Sequence, residues 1–101
     1  DLPERIETNR IISEGATLVA EGKYEEAISR YQELEKLGRP EKMHKKMAEA
    51  RREQAASNSL AQARKLLQEG NQTAAIKMLN SIPDNTRAAR EAQHLLKELR
   101  E

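Results

Sequence analysis

The sequence predicts an all-α fold of about five antiparallel helices, and two observations indicate it. Apolar residues recur at helical spacing along most of the chain, so that Tyr24, Ala27 and Ile28, for example, share one stripe. Isolated glycines interrupt these periodic segments, and a glycine after a helix supplies the left-handed residue that reverses the chain. Together they predict helical hairpins and no strand.

An internal repeat organises the chain. The segment Glu21–Ile28 is matched by Glu69–Ile76, and the offset between Gly22 and Gly70 is 48 residues (70 − 22). Self-similarity of this kind predicts two copies of one helical hairpin. Size and hydrophobicity are kept where a core needs them: Leu18 meets Leu66, Val19 meets Leu67, Ala27 meets Ala75, Ile28 meets Ile76 and Tyr31 meets Leu79.

The first predicted hairpin spans residues 1–38. Its first helix, about residues 1–21, begins with Asp1 as N-cap, followed by a Pro and a Glu that suit the positive end of the helix dipole. Gly15 inside this helix costs about 1 kcal/mol relative to Ala, and we expect close packing against Ala27 to explain it. The second helix, about residues 24–37, ends at the glycine that follows.

The region from Pro40 to Glu69 leaves two interpretations open. Beyond Pro40 it contains no Gly or Pro, and most of its residues favour helix. One interpretation is a single long helix, in which residues 39–56 extend a helix that bridges the two hairpins. The other is a break at Ser57-Asn58-Ser59, because each of these residues suits an N-cap. We favour the single helix, since a break would leave two short and weakly apolar ones.

The second predicted hairpin, residues 57–83, includes a short helix from about residue 73 to 82. Pro83 and the Asp-Asn-Thr sequence after it stop this helix and cap the next one. The last helix, within residues 84–101, is predicted to cap the domain. It carries an apolar stripe of Ala88, Ala92, Leu95, Leu96 and Leu99.

The first hairpin resembles a tetratricopeptide repeat (TPR). Ile11, Gly15 and Leu18 stand at the Trp, Gly and Tyr positions of that family's first helix, and Ala27 and Tyr31 stand at the Ala and Phe positions of its second. The second hairpin keeps small and apolar residues at several of these positions, although the offset of 48 exceeds the family's period of about 34 residues. The resemblance implies a TPR-like, right-handed solenoid of two hairpins plus a capping helix, with a role in protein–protein interaction.

In the TPR family the first helix of each pair lines a concave groove, and the resemblance implies such a groove here. It places Asn9, Ile12 and Ala16 in the first unit and Leu60, Arg64 and Gln68 in the second. The carboxylate clamp of some family members needs Lys and Asn where Ile12 and Ala16 stand, so the resemblance does not imply that function.

The last helix carries a cationic stripe. Its members are three, four and three residues apart and therefore share one helical face opposite the Ala/Leu stripe. A groove for an acidic or carboxylate-bearing peptide is the functional interpretation, and an ordinary solvated face is the alternative. With two residues of the second groove, the candidate partner-binding residues are Arg64, Gln68, Arg87, Arg90, His94 and Lys97.

Composition limits the function classes. With 101 residues there is room for one domain, and a formal net charge of +1 is too balanced to indicate nucleic acid. No apolar run approaches the ~20 residues of a membrane span. The chain contains no Cys, shows no signal peptide and begins at Asp1 without Met. We therefore expect a monomeric module excised from a longer protein, with a cytoplasmic location.

No pattern indicates catalysis, a metal site or a cofactor. His44 and His94 lie in different elements, and neither has a partner at the spacing of a metal site. The glycines are isolated, so there is no phosphate-binding loop. Paired carboxylates such as Glu25 and Glu26 lie on an open helix surface, where nothing raises a pKa for general acid catalysis. We expect no enzyme, no cofactor and no small-molecule substrate.

These observations predict a non-catalytic module that holds a peptide or a partner domain in a helical groove, and the cationic stripe favours an acidic partner. Two alternatives stay open. The chain could be an architectural spacer or a self-association segment of a larger protein. It also resembles a three-helix module of the microtubule-interacting-and-trafficking type, which uses a turn similar to Gly22–Ile28, although the second hairpin exceeds what such a module needs.

Overall fold

The structure, a computed structural model, describes residues 2–100 and is all-α. Asp1, the predicted N-cap, lies outside the described residues. No strand occurs in residues 2–100, so the predicted all-α class and the number of helices are confirmed. The chain divides into two compact units between Arg52 and Glu53. We call the part before this boundary unit 1 and the part after it unit 2, and the third helix contributes to both. The helices are α1 (Leu2–Ala20), α2 (Tyr24–Lys36), α3 (Pro40–Gln68), α4 (Gln72–Asn80) and α5 (Arg87–Arg100).

Helices α1, α2 and α3 each end at a glycine in the left-handed conformation. The φ angles are 77° at Gly22, 72° at Gly38 and 80° at Gly70. After α1 the N–H of Gly22 donates to the carbonyl of Val19 at 3.0 Å, and the next N–H donates to the carbonyl of Leu18 at 2.8 Å. This pair of bonds is the Schellman motif, and the same pair recurs after α2 and α3. The glycines therefore fix where these helices end.

Unit 1 packs α1, α2 and the first half of α3 around one core. We expected Gly15 to pack closely against Ala27, but the side chain nearest to it is Tyr31. A Cβ built on Gly15 would overlap the Tyr31 ring. Ala27 is nevertheless fully buried, as predicted. Burial raises the pKa of the Tyr31 hydroxyl, and the charge of Glu49 adds to the shift. The buried core residues are Ile11, Ala27, Ile28, Tyr31, Leu34, Met43 and Ala50.

An ion pair joins α1 to α2 within unit 1. Arg30 Nε donates to Glu14 Oε2 at 2.6 Å, and the same guanidinium also pairs with Glu33. The hydrogen bond from Arg30 lowers the pKa of the Glu14 carboxyl. A charged contact therefore joins these two helices beside the apolar core of the unit.

Unit 2 packs the second half of α3 with α4 and α5. Helix α3 runs unbroken through Ser57-Asn58-Ser59, so the single-helix interpretation is confirmed. Ala56 and Leu60, on either side of that segment, are buried in the core, and packing therefore outweighs the capping tendency of the polar residues. Ala75 is fully buried, as predicted. The buried core residues are Ala56, Leu60, Ala63, Leu79, Ile82, Ala88, Ala89, Ala92 and Leu96.

Helix α4 is short because polar residues define both of its ends. The side chain of Asn71 accepts a hydrogen bond from the N–H of Ala74 at 3.4 Å, which caps the helix start. The helix ends at Asn80, and Ser81 follows with its hydroxyl donating to the carbonyl of Met78 at 2.6 Å. In the turn before α5 the Thr86 hydroxyl donates to the carbonyl of Pro83 at 2.8 Å. This turn sets the position of the first residues of α5.

Candidate functional site

One face of α5 carries four cationic or titratable side chains, and we call it the α5 cationic face. The opposite face of the helix is buried in the unit 2 core through Ala88, Ala89, Ala92 and Leu96. Helical geometry therefore turns the other side outward. The residues of the α5 cationic face are Arg87, Arg90, His94 and Lys97, and all four are exposed.

The charges of the α5 cationic face are not compensated by ion pairs within the described chain. No carboxylate of residues 2–100 forms an ion pair with any of the four side chains. An exposed unpaired cation attracts an anionic partner at long range, and salt screens this attraction over about 8–10 Å at physiological ionic strength. The face can therefore bind acidic groups.

A cleft of about 550 Å³ opens at the start of α5. Glu53, on α3, lines this cleft and accepts a hydrogen bond from the N–H of Arg87 at 3.0 Å. A carboxylate in that place satisfies a free helix N–H and interacts favourably with the helix dipole. Arg90 lines this cleft and also a neighbouring one of about 440 Å³, which Asp84, Thr86, Ala89 and Gln93 complete. Arg90 thus lines both of these clefts, whereas Arg87 lines the first one.

The two candidate residues on α3 differ from the four on α5. Arg64 forms an ion pair with Glu91 of α5, so its charge is compensated within unit 2. Gln68 is the last residue of α3 and is exposed. The structure therefore unites Arg87, Arg90, His94 and Lys97 on one helix face and gives Arg64 a contact between two helices.

Sequence reasoning missed Glu53 and a cluster in unit 1. There Arg5, Thr8 and Asn9 of α1 line a cleft of about 280 Å³ together with Arg39 and Lys42, at the start of α3. Two signals in the sequence pointed to part of this cluster: Arg5 and Asn9 lie one helical turn apart, and the TPR resemblance implied a groove at Asn9. The approach of α1 to the start of α3 depends on tertiary packing, which spacing alone does not reveal.

No group of three or more His, Cys, Asp or Glu residues in the described part of the chain is arranged to hold a metal ion. Among residues 2–100, no helix combines the length and the hydropathy needed to cross a membrane. No family model, curated protein or solved structure matches this chain.

Proposed function

We propose that the chain is a non-catalytic, TPR-like interaction module that binds an acidic segment of a protein partner on the α5 cationic face. The observation that carries the proposal is the presence, on one helix face, of four exposed side chains that have no ion-pair partner among residues 2–100. This face lies next to two clefts that share Arg90. Complementary charges across such a contact speed association and favour an anionic partner over other partners.

The TPR-like architecture belongs to the same proposal. Its support is the repeated element: a helix that ends at a glycine, followed by a helix with a fully buried alanine, Ala27 in one case and Ala75 in the other. Stacking of two such hairpins into a right-handed solenoid, closed by α5, is the finer arrangement that the resemblance implies.

The test compares two charge reversals on the same chain. Binding of fluorescent acidic peptides, such as mixed Asp/Glu peptides with apolar spacers, is measured by anisotropy against Gln/Asn peptides of equal length. We expect Arg90→Glu to weaken binding of the acidic peptides by at least about fivefold, because reversing an exposed charge replaces an attraction with a repulsion. Affinity should also fall as salt rises.

Lys45→Glu is the matched control. Lys45 is equally an exposed cation on a helix, but it lies in unit 1, outside the α5 cationic face. Neither substitution should change the melting temperature by more than about 2–4 °C, since exposed substitutions alter stability little. Equal losses of affinity from both variants would contradict the proposal and indicate diffuse electrostatics.

A spacer or self-association segment is the competing function. Sedimentation of the chain tests self-association, which predicts a mass that rises with concentration while the binding module predicts a monomer. A spacer is also monomeric but predicts no preference for the acidic peptides.

A further inference from the structure

A second cationic site lies in unit 1, in the cleft of about 280 Å³ between α1 and the start of α3. We call it the unit 1 cleft. Three of its lining side chains, Arg5, Arg39 and Lys42, are cationic, and Thr8 and Asn9 add a hydroxyl and an amide. Among residues 2–100, no acidic residue lines this cleft and no carboxylate pairs with any of the three cations.

Two residues of the unit 1 cleft carry buried polar atoms without a hydrogen-bond partner in the described chain. Thr8 is only 2% exposed, and its Oγ1 makes no hydrogen bond, not even with the carbonyl one turn earlier. The Nε of Arg39 is also buried and without an acceptor. Leaving such buried groups unsatisfied destabilises the folded chain. Since Nε–H can only donate and a hydroxyl can donate, the group that each of these atoms lacks is a hydrogen-bond acceptor.

The corresponding cleft of unit 2 contains a carboxylate, that of Glu53. At the repeat offset of 48 residues, Arg5 corresponds to Glu53 (53 − 5 = 48). The helix registers agree, because Thr8 and Gly15 of α1 and their counterparts Ala56 and Ala63 are all buried. Each cleft also contains two cations three residues apart, Arg39 and Lys42 in unit 1 and Arg87 and Arg90 in unit 2. In unit 2 the Glu53 carboxylate enters that cleft, whereas in unit 1 a third cation replaces it.

We propose that the unit 1 cleft binds an oxyanion, a carboxylate or phosphoryl group, presented by an acidic or phosphorylated side chain of a protein partner. The external group takes the role that Glu53 has in unit 2, with Arg5, Arg39 and Lys42 supplying the charge. Guanidinium groups suit this task because their N–H donors match the oxygens of carboxylates and phosphates. The proposal does not depend on the α5 cationic face, which lies in the other unit.

The experiment is a titration of the isotope-labelled chain, followed by two-dimensional amide NMR. Sodium phosphate and sodium acetate are the probes, each added at constant ionic strength with sodium chloride as the compensating salt. We expect saturable shifts at the amides of Thr8, Asn9 and Lys42. The probe with the lower Kd identifies the source, and peptides containing phosphoserine or glutamate at one position then extend the comparison.

Variants decide whether the unit 1 cleft is the site. Arg5→Glu places a carboxylate at the position equivalent to Glu53 and should raise the Kd of the better probe at least about tenfold, because an internal anion then competes for the same donors. Arg39→Gln should give a similar loss and serves as the second variant if Arg5→Glu does not fold, which the dispersion of the amide spectrum reports directly.

Lys45→Glu is the matched control here as well, since Lys45 lies on α3 but does not line the cleft. The Kd of the better probe for the Lys45→Glu variant should stay within about twofold of its Kd for the unsubstituted chain. Shifts that grow linearly and spread over all basic residues would overturn the proposal, and so would equal Kd values for Arg5→Glu, Arg39→Gln and Lys45→Glu.

Discussion

At the scale of single residues, the two units place different pairs of side chains at equivalent core positions. Gly15 and Tyr31 are in contact in unit 1, and the residues 48 positions later, Ala63 and Leu79, are both buried in unit 2. In unit 1 the smaller glycine accompanies the larger tyrosine ring, and in unit 2 the larger alanine accompanies the smaller leucine. The total volume at the contact is therefore partly conserved, as expected of cores packed near crystal density.

This exchange leads to a prediction for Gly15→Ala. In most helix interiors the change stabilises by about 1 kcal/mol. Here the new methyl group overlaps the Tyr31 ring, so we expect a net destabilisation of about 1–3 kcal/mol in urea unfolding. The double variant Gly15→Ala/Tyr31→Leu copies the pair of unit 2 and should recover part of the loss, which a double-mutant cycle measures. A simple sum of the two single effects would refute this packing account.

The ion pair between Glu14 and Arg30 makes a prediction about pH. The hydrogen bond from Arg30 holds the Glu14 pKa below its ordinary 4.5, so the charged carboxylate is favoured in the folded state. The stability that Glu14 contributes is therefore present above the unfolded pKa and is lost as pH falls through the lower folded value. Carbon-detected NMR titration should show the Glu14 pKa rising in Arg30→Gln. The pKa of Glu7, which Arg10 lowers most, should move less and is the internal control.

At the scale of the helices, glycines and polar capping residues determine most helix boundaries. The glycines predicted to end α1 and α2 do so within one or two residues, because only a residue without a Cβ adopts positive φ at little cost. The continuity of α3 was harder to predict. Ser57-Asn58-Ser59 favours a cap locally, and only burial of the residues on either side decides in favour of the helix.

Contacts between helices were the part that the sequence did not reveal. The α5 cationic face follows from spacing within one helix and could be predicted, with all four residues exposed. The pairing of Arg64 with Glu91 and of Glu53 with the start of α5 joins residues 27 (91 − 64) and 34 (87 − 53) positions apart. No local pattern encodes such pairs, because they depend on how α3 packs against α5. The unit 1 cleft escaped prediction for the same reason.

At the scale of the whole molecule, the chain contains two hydrophobic cores that share one helix. The buried residues of the two cores have no member in common, and α3 contributes Met43 and Ala50 to one and Ala56 and Leu60 to the other. Local openings of a protein follow such cooperative units. We therefore expect each unit to lose its hydrogen-exchange protection mainly through events in its own core.

Overpacking one core at a time tests this expectation. Ala27→Phe and Ala75→Phe each introduce a ring at a fully buried position and should cost about 1–3 kcal/mol. In native-state hydrogen exchange, Ala27→Phe should accelerate the slow amides of Tyr31 and Leu34 by about tenfold per 1.4 kcal/mol lost. The amides of Leu79 and Leu96 should change by less than about twofold.

Ala75→Phe should reverse the pattern, because its ring enters the core that contains Leu79 and Leu96. The control is Glu26→Phe, which adds the same ring at an exposed position next to Ala27 and should leave both sets of amides nearly unchanged. Equal acceleration of both sets by either core variant would show that the units open together. In that case α3 would transmit the loss of one core to the other, and the chain would unfold as a single cooperative unit.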